Sequence, residues 1–149
     1  MPAVRVAMAQ INPTVGHLSG NSAKILEIAK RAQQAGAQIV LFPELALTGY
    51  PIEDLALSRD FLNASEQALK DLAKASDKAG LGEMALVVGH PGFAENPSSW
   101  AIGANKAALI SGGKISATTQ STTCQTIQCS MSIGFLCRAK TYSPLKSTA

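Results

Sequence analysis

Cysteine is absent from the first 123 residues of this 149-residue chain, and acidic residues are absent from everything after Glu95. Aromatic residues are scarce at 5%. No window approaches the roughly 18 consecutive apolar residues that cross a bilayer, so no membrane-spanning segment is expected. The start, MPAVRVAMAQINP, has no basic stretch leading into a long apolar one, so no secretory leader is expected either. A long cysteine-free segment needs no disulfide staples and fits a cytoplasmic protein. Lysine and arginine are scattered along helical patterns rather than gathered in a run interleaved with aromatics. With a formal charge of only +3, nucleic acid is not an expected partner.

What is present suits one soluble domain. The length matches a single domain and can bury a core if most of it takes part. Residues 4–9 (VRVAMA) read as a buried strand that ends at Asn12-Pro13. Asn21 reads as the N-cap of a helix in which Ile25, Ile28, Ala29 and Ala32 share a face, with Glu27 and Arg31 outside at i,i+4 in the favourable order. Gly36 ends that helix, and residues 38–42 (QIVLF) form a second buried strand. A loop over 43–58 precedes a second amphipathic helix over 59–79. There Leu62, Leu69 and Leu72 face inward, and Glu66 and Lys70 are spaced to pair outside. Residues 85–89 (ALVVG) read as a third strand and 90–103 as a loop. Residues 107–110 and 114–117 read as a hairpin turning on Ser-Gly-Gly. Strand, helix, strand, helix, strand, hairpin is an α/β pattern.

The stretch FPELALTGYPIEDL, residues 42–55, carries the chemistry. Glu44 lies just past a buried strand, where α/β folds place ligand crevices. Proline before it and apolar residues after it are expected to dehydrate it in part, which favours trading a proton with a nucleophile. Taken alone, the commoner role of such a glutamate is to cap a loop.

Three segments together resemble the nitrilase superfamily: AQINPTVG at 9–16, GAQIVLFPELALTGYP at 36–51, and Glu53-Asp54-Leu55. The Gly-Tyr-Pro and Glu-Asp-Leu extension is most similar to the glutaminase domain of glutamine-dependent NAD⁺ synthetases. The likeness covers residues 3–117 and is weak at 94–104, where Ala104-Asn105 stands in place of Tyr-Asn. It implies an α-β-β-α sandwich, here incomplete, and a Glu-Lys-Cys triad that hydrolyses the side-chain amide of glutamine. It also implies a separate synthetase domain that uses ATP and Mg to amidate nicotinic acid adenine dinucleotide, and a homo-oligomeric full-length protein. Glu44 matches the family's glutamate, a general base. Lys106 and Lys114 do not match its lysine, which comes later and precedes a segment like LPNYxVFDE. No cofactor or metal is assigned to this chain.

Residues 118–149 instead hold all three cysteines, Cys124, Cys129 and Cys137, with many Ser and Thr and no acid. The cysteine spacing matches no zinc pattern, and His17 and His90 lie far upstream. Genetic-code arithmetic offers another reading. Shifted back by one base, every Thr codon supplies a hidden codon ending in AC, every Gln one ending in CA, and every Ile or Met one ending in AT. Only the first base is then open. Residues 120–134 can be re-read as KHHLPNYSVFDEYR, and the string continues as VFVPGKD through Thr141. Loss of one base near Thr118-Thr119 produces such a switch. The expectation is a partial carbon–nitrogen hydrolase domain at 1–117 and an out-of-frame, disordered tail at 118–149. Another small amidase, or a non-catalytic interaction domain, are the alternative readings.

Overall fold

A computed structural model describes residues 3–98 and 101–121. For residues 122–149 the expectation of disorder, and with it the three cysteines, lies outside the described residues. Strand β1 (Val6–Met8) leads through a turn to helix α1 (Leu18–Gln34), then to β2 (Ile39–Leu41). A 3₁₀ turn (Glu53–Leu57) precedes α2 (Arg59–Lys78). Three further strands follow: β3 (Ala85–Ser98), β4 (Ala101–Ser111) and β5 (Lys114–Gln120). The five strands form one sheet in chain order. β1, β2 and β3 run parallel, while β3, β4 and β5 run antiparallel.

Two right-handed crossovers stepping the same way along a sheet put both helices on one face. That face is the core. Val40, Leu86, Val88, Ala108 and Ile110 pack there with Ile25 and Ala29 of α1 and Leu69 and Leu72 of α2. The alternate positions Val6, Met8 and Leu41 are exposed on the side without helices. The described residues therefore build one helix layer and one sheet.

Both helices close in the same way. Ala37 N–H donates to the Ala32 carbonyl and Gly36 N–H to that of Gln33; Leu81 and Gly80 do the same to Ser76 and Asp77. Gly36 and Gly80 have φ of 77° and 78°, the left-handed stop that lets each chain turn back into its strand. At the start of α2, the Ser58 side chain accepts the Phe61 N–H at 3.3 Å.

Four local expectations are corrected. Helix α1 begins at Leu18, with His17 at the cap position, so Asn21 is not its N-cap. Asn21 is fully buried in the first turn. It accepts the Thr14 N–H at 2.8 Å and donates to the carbonyls of Thr14 at 2.8 Å and Leu47 at 3.1 Å. Residues 90–98 continue β3 rather than forming a loop: His90 pairs with Lys106, Pro91 with Asn105 and Gly92 with Ala104. Pro and Gly read as breakers, but cross-strand pairing with β4 overrides them. Glu66 does not pair with Lys70. Its carboxylate turns to β3, where Oε1 accepts the Phe93 N–H at 3.4 Å. β5 also runs on through Gln120, with Thr118 and Thr119 opposite Ala108 and Ala107.

Asn21→Ala strips Thr14 and Leu47 of their side-chain partner inside the protein. The expected cost is about 1–3 kcal/mol, from the buried Leu47 carbonyl and the part-buried Thr14 groups left without that partner. Urea unfolding of the two chains measures it.

Candidate functional site

Glu44 is placed by a loop stitched to β3 at both ends. Phe42 N–H donates to the Val87 carbonyl at 2.9 Å, and Leu47 N–H to the Gly89 carbonyl at 3.2 Å. Between these ties the chain turns tightly: Ala46 N–H reaches the Pro43 carbonyl at 3.2 Å, and Gly49 N–H the Leu45 carbonyl at 2.8 Å. The loop lies directly on Gly89. A Cβ there would stand 2.5 Å from the Pro43 oxygen, 2.7 Å from the Leu45 nitrogen and 2.9 Å from the Glu44 Cα. Leu45 takes φ of 50°, left-handed backbone that costs a non-glycine residue about 1 kcal/mol or more. Burial of its side chain offsets that strain.

On the far side, Gly49 (φ 81°) packs against the backbone of Thr14 and Val15, with no room for a Cβ. Gly16 N–H donates to the Thr48 carbonyl at 2.8 Å. The Asn21 side chain joins the same two segments. The AQINPTVG and FPELALTGYP stretches are thus two halves of one scaffold.

Leu45, Ala46 and Leu47 turn inward and are buried, whereas Pro43 and Glu44 are exposed. The apolar run is spent on the core, so the expected partial dehydration of Glu44 is not met among the described residues. The carboxylate is instead met by Asn105 of β4, whose Nδ2 donates to Glu44 Oε1 at 2.7 Å. Asn105 was legible in the sequence only as half of the altered Ala-Asn pair; no spacing connects it to Glu44, 61 positions earlier.

Neither lysine approaches this carboxylate as a partner. Lys106 follows Asn105 and so projects to the opposite face of β4. There its side chain lies beside Gly92, near His90 and Glu66. Lys114 pairs with Ser111 at the other end of the hairpin, roughly 20 Å along the strand from residue 121, at ~3.3 Å per residue.

The second polar group, on the helix-covered face, is His90. It is 2% exposed, its Nδ1 lies 3.0 Å from the Pro91 carbonyl, and its Nε2 has no hydrogen-bond partner. Burial holds its pKa below the ordinary 6.5. The Pro91 carbonyl opposes this, nearby Lys106 reinforces it, and Glu66 opposes it. Among the described residues, no three His, Cys, Asp or Glu side chains cluster to hold a metal ion. Nor is any described helix long and apolar enough to cross a membrane.

The model of the carbon–nitrogen hydrolase family matches residues 5–123. The glutamine-dependent NAD(+) synthetase of Synechocystis sp. is 46% identical over 69 residues, covering 46% of this chain and 12% of the relative. That of Xanthomonas campestris is 40% identical over 116 residues, covering 77% of this chain and 19% of the relative. The chain therefore spans less than a fifth of the length of these relatives. Among solved structures, the glutamine-dependent NAD+ synthetase of Acinetobacter baumannii superimposes with a TM-score of 0.65 at 27% identity, over 81% of this chain and 21% of that one. An amidase from Nesterenkonia sp. gives 0.62 at 25%, over 80% and 43%.

The His90 geometry sets an expected pH dependence. The unfolded chain takes up the histidine proton at a higher pH than the folded one. This contribution to stability is therefore complete above the ordinary 6.5 and is lost as pH falls below it. Urea unfolding of the wild type at neutral pH and near pH 5 is expected to show that loss. His90→Gln, compared over the same pH range, is expected to flatten the slope by up to about one proton.

Proposed function

The chain belongs to the carbon–nitrogen hydrolase family, and from that premise we propose that it is the glutamate-bearing part of a glutaminase domain like that of the glutamine-dependent NAD⁺ synthetases. Glu44 serves as general base. It takes the thiol proton as a cysteine attacks the side-chain amide carbon of glutamine. It then returns that proton to the leaving nitrogen, so that ammonia departs and a thioester is left for water to cleave. A lysine beside Glu44 would steady the developing oxyanion. ATP and magnesium would serve a separate synthetase domain, and no residue of this chain is assigned to them. The expected cytoplasmic location and homo-oligomeric assembly of the full-length protein belong to the same reading.

The observation that carries this proposal is the register of β5. The backbone N–H of residue 121 donates to the Asn105 carbonyl at 3.0 Å. Residues directly opposite in an antiparallel pair project to the same face. Position 121 therefore shares a face with the Asn105 side chain that holds Glu44. In the frame shifted by one base, the first hidden codon takes the third base of the Gln120 codon and the first two of the Ser121 codon. That codon is the one re-read as lysine. The shifted frame thus supports a lysine beside Glu44, where the chain as given has Ser121. The cysteine of the triad would follow further along the same frame.

On this reading the chain as given has the base without its partners. Triad members act as a unit, so it is expected to hydrolyse glutamine no faster than buffer. Glutamine turnover that survives replacement of Cys124, Cys129 and Cys137 would sink the mechanism. Sequencing the DNA from the Lys114 codon to beyond Ala149 tests the frame directly. One extra base near Thr118 restores the lysine motif. In a protein made from such a frame, Glu44→Gln is expected to lower glutamine hydrolysis by about 10²–10⁴-fold. The superposition on the Nesterenkonia amidase favours a second reading, hydrolysis of a small amide without a synthetase partner. A synthetase domain downstream in the restored frame decides against it.

A further inference from the structure

We propose that Asn105 is the positioning residue that aims Glu44; the catalytic meaning of this rests on the glutaminase reading, but its geometry does not. Glu44 sits on a loop with its side chain exposed, and a long carboxylate side chain so placed has several open rotamers. Its Oε1 is nevertheless held at 2.7 Å by the Asn105 amide. That distance is at the short end for an N–H donated to a carboxylate.

The donor is more rigidly mounted than the acceptor. Asn105 lies inside β4, opposite Pro91 of β3 on one side, and its carbonyl accepts the Ser121 N–H on the other. Its neighbour Ala104 is 1% exposed, and Gly103 lies so close to the Ala56 carbonyl that a Cβ there would stand 2.7 Å from it. A strand seated this way aims a side chain better than a loop does.

The chemistry of the donor also fits. An asparagine amide fixes one carboxylate oxygen without adding positive charge. A lysine or arginine at position 105 would pair with the charge and hold the carboxylate deprotonated more firmly. With Oε1 engaged, Oε2 is the oxygen from which a proton can be exchanged. Orientation settled before substrate arrives is entropy that the reaction need not lose.

The test uses the full 149-residue chain, labelled with ¹³C and ¹⁵N for NMR. In the wild type, the Glu44 β and γ protons are expected to show the unequal couplings of a fixed rotamer and cross-relaxation with the Asn105 side-chain amide. Asn105→Ala is expected to collapse those couplings to averaged values while the β4 amide signals and the urea midpoint hold. Asn105→Gln, which keeps the donor, is expected to recover part of the fixed rotamer. Unchanged Glu44 couplings in Asn105→Ala overturn the proposal. If that variant does not fold, Glu44→Ala reads the contact from the other side. The Asn105 side-chain amide signals must then move, and signals that stay in place overturn the proposal. The readout is the orientation of Glu44, so glutamine turnover that survives replacement of the three cysteines counts against the proposed function and not against this result.

Discussion

The loop after β2 can lie where it does because residue 89 has no side chain. Pro43, Glu44 and Leu45 all pass within 3 Å of the point where a Cβ would sit, a separation that real side chains do not tolerate. This one close approach lets the Leu47 N–H reach the Gly89 carbonyl. It draws Leu45 and Leu47 into the protein and leaves Glu44 at the outer surface of the turn. The left-handed Leu45 follows from the same constraint: the chain must reverse within a few residues while keeping its apolar side chains inside. Asn21 and Gly49 complete the arrangement from behind by fixing residues 14–16 against the loop. A motif that looks linear in sequence is held by three separate close contacts, none adjacent to Glu44 in the chain.

β3 is where two kinds of pairing meet. Toward β1 the sheet is parallel, built by crossovers whose helices bury the shared face. Toward β5 it is antiparallel and continues by hairpins. Glu44 comes from the carboxyl end of a parallel strand, where α/β sheets present their functional residues. Asn105 comes from the antiparallel half. The pair bridges the two, so its geometry depends on the β3–β4 register as much as on the loop. Residues 90–93 set that register. Although they contain Pro91 and Gly92, they stay in the ladder, and the Pro91 carbonyl also accepts the Ser65 hydroxyl at 3.0 Å.

Sequence reading succeeded where one side of an element faces the core. The spacing of Ile25, Ala29, Leu69 and Leu72 reports a helix face whatever lies opposite it, and Gly36 and Gly80 report helix ends because only a left-handed residue closes them that way. It failed where a residue's role was set by a distant partner. Asn21 carries the signal of an N-cap, yet its side chain joins loops 7 and 26 positions away. Glu66 has helical spacing to Lys70, yet binds a strand 27 positions on. Residues 90–98 have the composition of a loop and acquire strand structure only from β4. Glu44 stood out through its motif. Asn105 did not, because nothing in the local sequence marks an asparagine as facing a carboxylate from another strand.

The same distinction bears on the odd end of the chain. Strand pairing uses backbone groups, which every residue except proline supplies alike. Residues 118–121 pair with β4 through such groups, and their β-branched threonines suit a strand. A one-base shift near this point would leave that pairing available while exchanging every side chain beyond it. On the proposed reading, architecture then outlasts chemistry. β5 forms, Asn105 is seated and Glu44 is held, but the face shared by Asn105 and residue 121 offers a hydroxyl where a cation is needed. On the same reading, a carboxylate oriented by a neutral amide is a base that still lacks, among the described residues, an electrophile stabiliser and a nucleophile. On that reading, the arrangement around Glu44 is one part of a catalytic site whose remaining groups belong to another frame.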